Sequence, residues 1–183
     1  MTTHDAALTY AMRGWRVFPC QLNSKEPATK HGCKDATSDV ETIKKLFASP
    51  CNLGIATGHG LYVLDVDVKK ADGEATLQGW ESHHAPLPKT YTVQTPSGGR
   101  HYYFNTTTSA PNIVGLGPGI DVRGDGGYVV APPSEGYTLL DDAPLAPLPD
   151  WLAAMKPPKK STRLAKTIPP GTQDDTMHKL ACS

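Results

Sequence analysis

Two aspartates within one short apolar segment are the residues best suited to chemistry. Residues 61–68 (LYVLDVDV) predict a β-strand in which Asp65 and Asp67 share one face and apolar side chains fill the other. Aspartate is a poor strand former, and two carboxylates on one face repel each other. A divalent cation between them would remove that repulsion, and oxygen ligands suit Mg²⁺ or Mn²⁺. Two solvated carboxylates at a strand end are the alternative interpretation.

The sequence TPSGGRH enters another predicted strand through two adjacent glycines. The backbone N–H groups of Gly98 and Gly99, with the hydroxyl of Ser97, can approach a phosphate closely. Arg100 and His101 would add further donors. An ordinary turn is the alternative interpretation of this loop.

A third acidic position lies further along the chain, where Asp121 and Arg123 share one face of a predicted strand. On its own, such a pair is typical of a structural ion pair. Together with Asp65 and Asp67, however, Asp121 is a candidate third metal ligand. Three carboxylates beside a phosphate-binding loop are typical of two-metal phosphoryl chemistry.

The composition describes a chain able to build one folded domain around these residues. It has 183 residues, 18 Lys+Arg and 18 Asp+Glu, so its formal net charge is zero. This balance excludes a histone-like or polyanionic chain. The 17 glycines and 17 prolines favour many turns and short strands over a helix bundle.

Capping residues predict where the helices lie. Thr3 would cap a first helix that Gly14 ends, Ser38 would open a second through a capping box, and Asp72 would cap a third that runs to about residue 84. The sequence GDGG after Arg123 predicts a hairpin. Strands are predicted at 15–18, 53–56, 61–68, 90–95, 101–105, 120–123, 128–131 and 137–140, and a last short helix at 151–155.

A change of composition predicts the domain organisation. Residues 1–155 would form the catalytic domain, residues 156–171 a basic, proline-rich linker, and residues 172–183 the start of a helical segment.

Several classes of protein are disfavoured. No apolar stretch approaches the length of a membrane span, and the first residues do not resemble a secretion signal, so we expect no membrane partner and a cytoplasmic location. Cys20, His31, Cys33 and Cys51 follow no compact zinc-ligand spacing, which favours unlinked thiols.

The ordered set of motifs resembles the prim-pol domain, the bifunctional DNA primase/polymerase of the archaeo-eukaryotic primase superfamily, in its phage and plasmid type. The resemblance runs from residue 10 to about residue 152. It is carried by GWRVFP, NLGIATG, LDVD, TPSGGRH, IDVRG and GGYVVAPPS in this order.

This resemblance implies an α+β fold with an RRM-like antiparallel β core flanked by helices. It implies that Asp65, Asp67 and Asp121 are catalytic ligands of two Mg²⁺ or Mn²⁺ ions. The family's S-x-x-x-H motif matches Ser97 and His101, implying that they bind the triphosphate of the incoming nucleotide.

The remaining implied contacts are with the nucleotide. Gly98, Gly99 and Arg100 belong to the same triphosphate loop. Thr57 and Arg123 match recurrent family positions and are carried over as substrate contacts. Lys25 resembles a family lysine that precedes a proline, although Glu26 intervenes here.

The implied function is template-directed nucleotidyl transfer, with synthesis and extension of primers on single-stranded DNA from NTP or dNTP during phage or plasmid replication. A downstream helicase domain is an implied partner in a longer protein. Two alternatives remain: another two-metal phosphate enzyme, such as a nucleotidyl cyclase or a nuclease, and a non-catalytic RRM-like nucleic-acid-binding module. The binding module would place aromatic residues on the exposed sheet face, where acidic residues are predicted instead.

Overall fold

A computed structural model of the protein describes residues 1–69 and 71–157. The predicted helical segment and most of the predicted linker lie outside the described residues.

The described chain contains four α-helices, one short 3₁₀ helix at Gly32–Asp35 and ten strands. In chain order they are α1 (Thr3–Met12), β1 (Arg16–Cys20), α2 (Val40–Leu46), β2 (Asn52–Ala56), β3 (Leu61–Val66), α3 (Gly73–His83), β4 (Thr92–Gln94), β5 (Arg100–Asn105), β6 (Ile113–Gly117), β7 (Ile120–Arg123), β8 (Tyr128–Ala131), β9 (Thr138–Asp141), β10 (Ala146–Pro147) and α4 (Asp150–Ala153).

The strands form two sheets. The smaller is three-stranded and antiparallel, in the order β1-β2-β8. The larger has seven strands, six of them in the antiparallel order β6-β7-β3-β5-β4-β9, while β10 pairs with β5 in parallel. The expected α+β class with an antiparallel core is therefore confirmed.

Side-chain alternation along β3 divides the molecule into two cores. Val63 packs between the two sheets with Phe18 and Tyr103, beneath α1 and α2. Leu64 and its neighbours on the opposite face pack against α3, whose Leu77 is buried. The large sheet is thus covered on both faces, by helices on one side and by the small sheet on the other.

The helix starts follow from short polar side chains. Thr2 and Asp5 form a reciprocal capping box at α1, one residue earlier than the sequence predicted. Asp39, not Ser38, caps α2 through the backbone N–H of Thr42. The prediction that Asp72 caps α3 is confirmed, since its carboxylate accepts a hydrogen bond from the N–H of Ala75.

The predicted GDGG hairpin is wrong, and the difference shapes the site. Strands β7 and β8 flank this turn, but β7 pairs within the large sheet and β8 within the small sheet. The N–H of Gly127 donates to the carbonyl of Gly124, which closes a tight turn without pairing the strands it joins. The turn therefore carries the chain from one sheet to the other across the edge of the inter-sheet space.

No helix within the described ranges is long and apolar enough to span a bilayer.

Candidate active site

Three functional side chains lie in a row across neighbouring strands of the large sheet. Asp65 on β3 is directly opposite His101 on β5 and directly opposite Asp121 on β7. Residues directly opposite in antiparallel strands project to the same face. The row therefore faces the small sheet, on the side of the large sheet that also carries Val63 and Tyr103.

Arg123 joins the two carboxylates of this row. Its Nη2 donates to Oδ2 of Asp65 at 3.0 Å and to Oδ2 of Asp121 at 2.8 Å, and its Nε donates to the same Asp65 oxygen at 3.3 Å. The guanidinium offsets the repulsion that two facing carboxylates would otherwise have.

His101 completes the charge environment of Asp65. Its Nε2 lies 3.4 Å from Oδ1 of Asp65, while its buried Nδ1 has no hydrogen-bond partner among the described residues. Burial would raise the pKa of Asp65, but His101 and Arg123 outweigh this effect and lower that pKa to about 2. Asp65 is therefore an anion across the whole physiological pH range.

A pocket of about 240 Å³ opens over this row. Its lining includes Asp65, His101 and Arg123 from the large sheet and Lys25 and Tyr137 from loops. The pocket thus brings one carboxylate together with a histidine, an arginine and a lysine. Such a mixture can bind a phosphate group on its cationic side.

Lys25 lies in this pocket because two hydrogen bonds fasten its loop to strands β2 and β8 of the small sheet. The carbonyl of Lys25 accepts a hydrogen bond from the Tyr128 hydroxyl at 3.0 Å. The side-chain amide of Asn52 donates to the carbonyl of Ser24 at 3.0 Å. The predicted family lysine is therefore held at the pocket that Asp65 also lines, although Glu26 separates it from the proline.

Asp67 lies just beyond the end of β3, apart from the row. Its carboxylate accepts a hydrogen bond from the N–H of Lys69 at 2.8 Å in a local turn. The TPSGGRH loop packs beside it, because a Cβ on Gly99 would clash with the backbone of Val66 and Asp67. Ser97 and Gly98 lie at the exposed tip of this loop, outside the pocket lining, and Oγ of Ser97 is within 3.1 Å of Oγ1 of Thr95.

Arg100 points away from the other predicted phosphate ligands. It lies on the opposite face of β5 from His101, where its Nη1 donates to both carboxylate oxygens of Glu74 at 3.1 and 3.2 Å. The same nitrogen is 3.3 Å from the Tyr102 hydroxyl. Arg100 thereby connects α3 to the large sheet.

Thr57 holds the turn at residues 124–127 in place through two hydrogen bonds. Its buried hydroxyl donates to the carbonyl of Gly124 at 2.7 Å, and its N–H donates to the carbonyl of Gly127 at 3.0 Å. Both acceptors belong to the turn that crosses between the sheets. Thr57 therefore positions that turn, which borders the pocket next to Arg123.

The carboxylates of Asp65 and Asp121 are suitable ligands for the divalent cation that the fold class implies, but Arg123 is bonded to both of them. Asp65 and Asp121 offer hard oxygen ligands on one face, as Mg²⁺ and Mn²⁺ prefer. In residues 1–69 and 71–157, however, no group of three His, Cys, Asp or Glu side chains is close enough to hold a metal ion. The two carboxylates therefore fit a cation in type, and a bound cation would have to replace Arg123 as their common partner.

Sequence reasoning missed three residues whose polar side chains line the pocket: Asn112, Tyr128 and Tyr137. The two tyrosines begin or precede strands, and only the three-dimensional meeting of the sheets gives them a common position. Tyr128 belongs to the GGYVVAPPS motif of the resemblance and Tyr137 follows it, but no spacing rule distinguished either from core aromatics.

A family model matches most of the chain. The bifunctional DNA primase/polymerase N-terminal domain, Prim-Pol, matches residues 7–151. The chain therefore belongs to the Prim-Pol family, as its motifs indicate. No curated protein sequence matches the chain.

Family membership gives the general class of activity. The domain is of the DNA primase/polymerase type, which is a nucleotidyltransferase class whose substrates are DNA and nucleotides. Of the predicted catalytic residues, Asp65 and His101 line the pocket, while Asp121 lies opposite Asp65 on β7 and outside the pocket lining.

Proposed function

We propose that the protein synthesises and extends primers on single-stranded DNA by template-directed, two-metal nucleotidyl transfer. We further propose that this reaction serves phage or plasmid replication in the host cytoplasm. The observation that carries the proposal is the direct opposition of Asp65 and Asp121 across β3 and β7, with Asp65 and His101 lining the pocket.

The acidic residues have the role of binding metal in this proposal. Asp65, Asp67 and Asp121 would hold two Mg²⁺ or Mn²⁺ ions. When bound, such ions lower the pKa of an attacking hydroxyl and stabilise negative charge on phosphate oxygens. Asp65 suits this role because its low pKa keeps its carboxyl group ionised.

The cationic residues have the role of binding phosphate. Lys25, His101 and Arg123 line the pocket and can donate hydrogen bonds to the triphosphate. Arg123 would exchange its carboxylate partners for phosphate oxygens when substrate arrives. Ser97 and the N–H groups of Gly98 and Gly99 would bind the outer phosphates from the adjacent loop.

The reaction joins two nucleotides through one displacement at phosphorus. The 3′-oxygen of the primer attacks the α-phosphorus, the bond from that phosphorus to the α–β bridging oxygen breaks, and pyrophosphate leaves. The proton of the 3′-hydroxyl passes to water. The protein's contribution is to orient the two reactants and to stabilise the charge that develops on the phosphate.

Four outcomes of one experiment separate the proposal from its alternatives. The full chain is incubated with a single-stranded template, labelled NTP or dNTP and either Mg²⁺ or Mn²⁺, and the products are resolved by length. Template-dependent products longer than one nucleotide support the proposal. A template-independent cyclic product indicates a cyclase, shortening of the template indicates a nuclease, and binding without any product indicates a non-catalytic module; each of these would overturn it.

A further inference from the structure

A second cavity, the Arg16 cleft, opens where strands β1 and β3 begin and has a volume of about 290 Å³. Its lining includes Arg13, Arg16 and His59, and none of the residues that line it in the described part of the chain is acidic. Its volume is just below the range of cavities that hold whole drug-sized ligands, which favours a small group such as a phosphate.

Arg16 is the arginine of this cleft that lacks an acidic partner. Arg13 is paired with Asp142 at 2.8 Å, and Arg100 and Arg123 are paired with carboxylates elsewhere. Among the arginines of the described ranges, Arg16 alone has no carboxylate oxygen within 4 Å. The charge of Arg16 is therefore available to an anionic ligand.

Two contacts hold the Arg16 guanidinium in place. Its Nη2 donates to the carbonyl of Ala36 at 2.6 Å, and its Nη1 lies 3.3 Å from Nε2 of His59. A guanidinium has five N–H donors, so donors remain for a phosphate after these two contacts. Because the side chain is already ordered, binding an anion would cost little conformational entropy.

His59 occupies a turn position that favours asparagine or glycine. The N–H of Gly58 donates to the carbonyl of Leu61 at 2.8 Å, and the N–H of Leu61 donates back to the carbonyl of Gly58 at 3.0 Å. His59 and Gly60 are thus a two-residue loop with φ of 51° and 93°, as a type I′ turn requires. A histidine in this conformation points to a function for its side chain, which here lies against Arg16.

A row of three residues across the small sheet relates this cleft to the pocket over Asp65. Arg16 on β1 is directly opposite Ala56 on β2, which is directly opposite Tyr128 on β8, so all three project to one face. Arg16 and Ala56 line the cleft, and Tyr128 lines the pocket. Two strand spacings put the Cα atoms of Arg16 and Tyr128 about 10 Å apart, which a short stretch of single-stranded DNA spans.

The lining of the cleft favours a phosphate over a base. Trp15 is its aromatic residue, but this ring is buried and stacked between Tyr10 and Tyr103, at centroid distances of 5.4 and 5.5 Å. It has no open face on which a base could stack. DNA is a substrate of this family, and its backbone presents phosphates at regular intervals.

We infer that Arg16 and His59 bind a backbone phosphate of single-stranded DNA, in a contact that lies outside the active site. The inference goes beyond the proposed function, because strand binding at this cleft requires no nucleotidyl transfer. Such a contact fixes the position of the strand without reading its sequence.

The test measures how tightly the full chain binds a fluorescent single strand of mixed sequence, by anisotropy between about 50 and 200 mM salt. Arg16→Gln removes the charge and keeps an amide donor. His59→Asn removes the imidazole and creates the Asn-Gly sequence that a type I′ turn favours, so the fold should be kept. Lys44→Gln, which removes one positive charge from an exposed position on α2, is the matched control. Circular dichroism verifies that each variant is folded.

We expect Arg16→Gln to bind the strand about tenfold more weakly at the lowest salt concentration. The slope of log K against log salt should also fall by about 0.7, the value for one phosphate contact on a single strand. His59→Asn should weaken binding about threefold. Because both side chains bind one phosphate, the double variant should lose less affinity than the two single losses combined. Lys44→Gln should bind as the wild type does.

Inorganic phosphate distinguishes a DNA backbone from a free phosphate ion. If it raises the Tm of the wild type but not of Arg16→Gln, while both bind DNA equally, the cleft binds free phosphate and the inference is wrong. Unchanged DNA affinity in Arg16→Gln, an equal loss in Lys44→Gln, or a wild-type chain that binds no single strand would also overturn it. A wild-type chain that binds DNA through Arg16 but extends no primer would leave the inference standing and remove the proposed function.

Discussion

Asp65 and Asp121 lie directly opposite each other on β3 and β7, and one nitrogen of Arg123 donates to both carboxylates. Two carboxylates in this position repel unless a cation lies between them. In the described structure that cation is a guanidinium. In the proposed function a divalent ion would bind at the same position, so Arg123 and the metal would compete for the two carboxylates.

This competition predicts the effect of Arg123→Met. Without divalent ions the variant should be less stable than the wild type, because the two carboxylates lose their common partner. With Mn²⁺ it should gain more stability than the wild type does. A hundredfold excess over Kd would contribute about 2.7 kcal/mol, or roughly 5–10 °C in Tm. Thermal unfolding with and without Mn²⁺ measures both effects.

Arg13→Met is the matched control for this variant, since Arg13 pairs with the exposed Asp142 away from the pocket. Its Mn²⁺ response should equal that of the wild type. An Arg123→Met protein whose Tm rises with Mn²⁺ no more than the wild-type Tm would show that the guanidinium and the metal do not share a site.

Two glycines predict opposite effects of a single methyl group. A Cβ on Gly54 would lie 2.5–2.9 Å from atoms of the Phe18 ring, so Gly54→Ala should overpack the space between β1 and β2 and cost about 1–3 kcal/mol. Gly79, in α3, has nothing within 4 Å of the same position, so Gly79→Ala should add up to about 1 kcal/mol through helix propensity. Urea unfolding of both variants checks the signs. A neutral or stabilising Gly54→Ala would show that Phe18 can move aside.

Thr57 should act on stability through its hydroxyl. Thr57→Val leaves the carbonyl of Gly124 without its partner at a buried position and should cost about 1–3 kcal/mol. Thr57→Ser keeps the hydroxyl and should retain most of the stability. If both variants unfold at the same urea concentration as the wild type, the hydrogen bond does not hold the turn.

The buried tyrosines predict a loss of stability at alkaline pH. Burial raises the pKa of Tyr137 to about 12 and holds the pKa of Tyr103 well above its ordinary value. The folded state therefore favours the neutral phenol. In the unfolded chain the pKa of tyrosine is about 10, so the stabilisation by these phenols is complete below about pH 10. It falls as the pH rises towards 12. Tyrosinate absorbance should rise together with the loss of circular dichroism. Full ionisation before unfolding would contradict this burial.

The local pattern predicted which side chains share a face, and for β3 it did so correctly. Strict alternation placed Tyr62, Leu64 and Val66 on one side, and the structure packs them against α3 and its neighbours. This worked because a period of two residues is a property of one strand and needs no knowledge of its partners.

Long-range pairing could not be predicted in the same way. The opposition of Asp65 and Asp121 depends on the register between strands more than fifty residues apart, which no local signal specifies. At the GDGG turn, a local signal predicted a pairing that the structure does not form. Its residues favour a hairpin, but β8 finds its partner in β2 of the other sheet, and tertiary pairing prevails over turn chemistry.

Glycine and proline residues also made the sequence miss strand β6 and the end of strand β1. Strand β6 contains Gly115 and Gly117, whose low strand propensity gave no signal. The first strand is predicted at 15–18, just before Pro19, yet β1 continues to Cys20 and pairs there with Asn52. On the edge of β1 that faces away from β2, the carbonyl of Pro19 accepts a hydrogen bond from the N–H of Ala28 in a loop. A proline is tolerated at this edge because the loop does not require a backbone N–H from residue 19.

The most direct measurement is primer extension by Asp65→Asn and Asp121→Asn in the presence of Mg²⁺ or Mn²⁺, with Asp142→Asn as the exposed control. Asparagine keeps the shape of the side chain and removes the charge, and circular dichroism verifies that each protein is folded. We predict that either site variant extends primers at least about 100-fold more slowly than the wild type, while Asp142→Asn is unchanged. A folded Asp65→Asn or Asp121→Asn protein that extends primers at the wild-type rate would contradict a catalytic role for these two carboxylates.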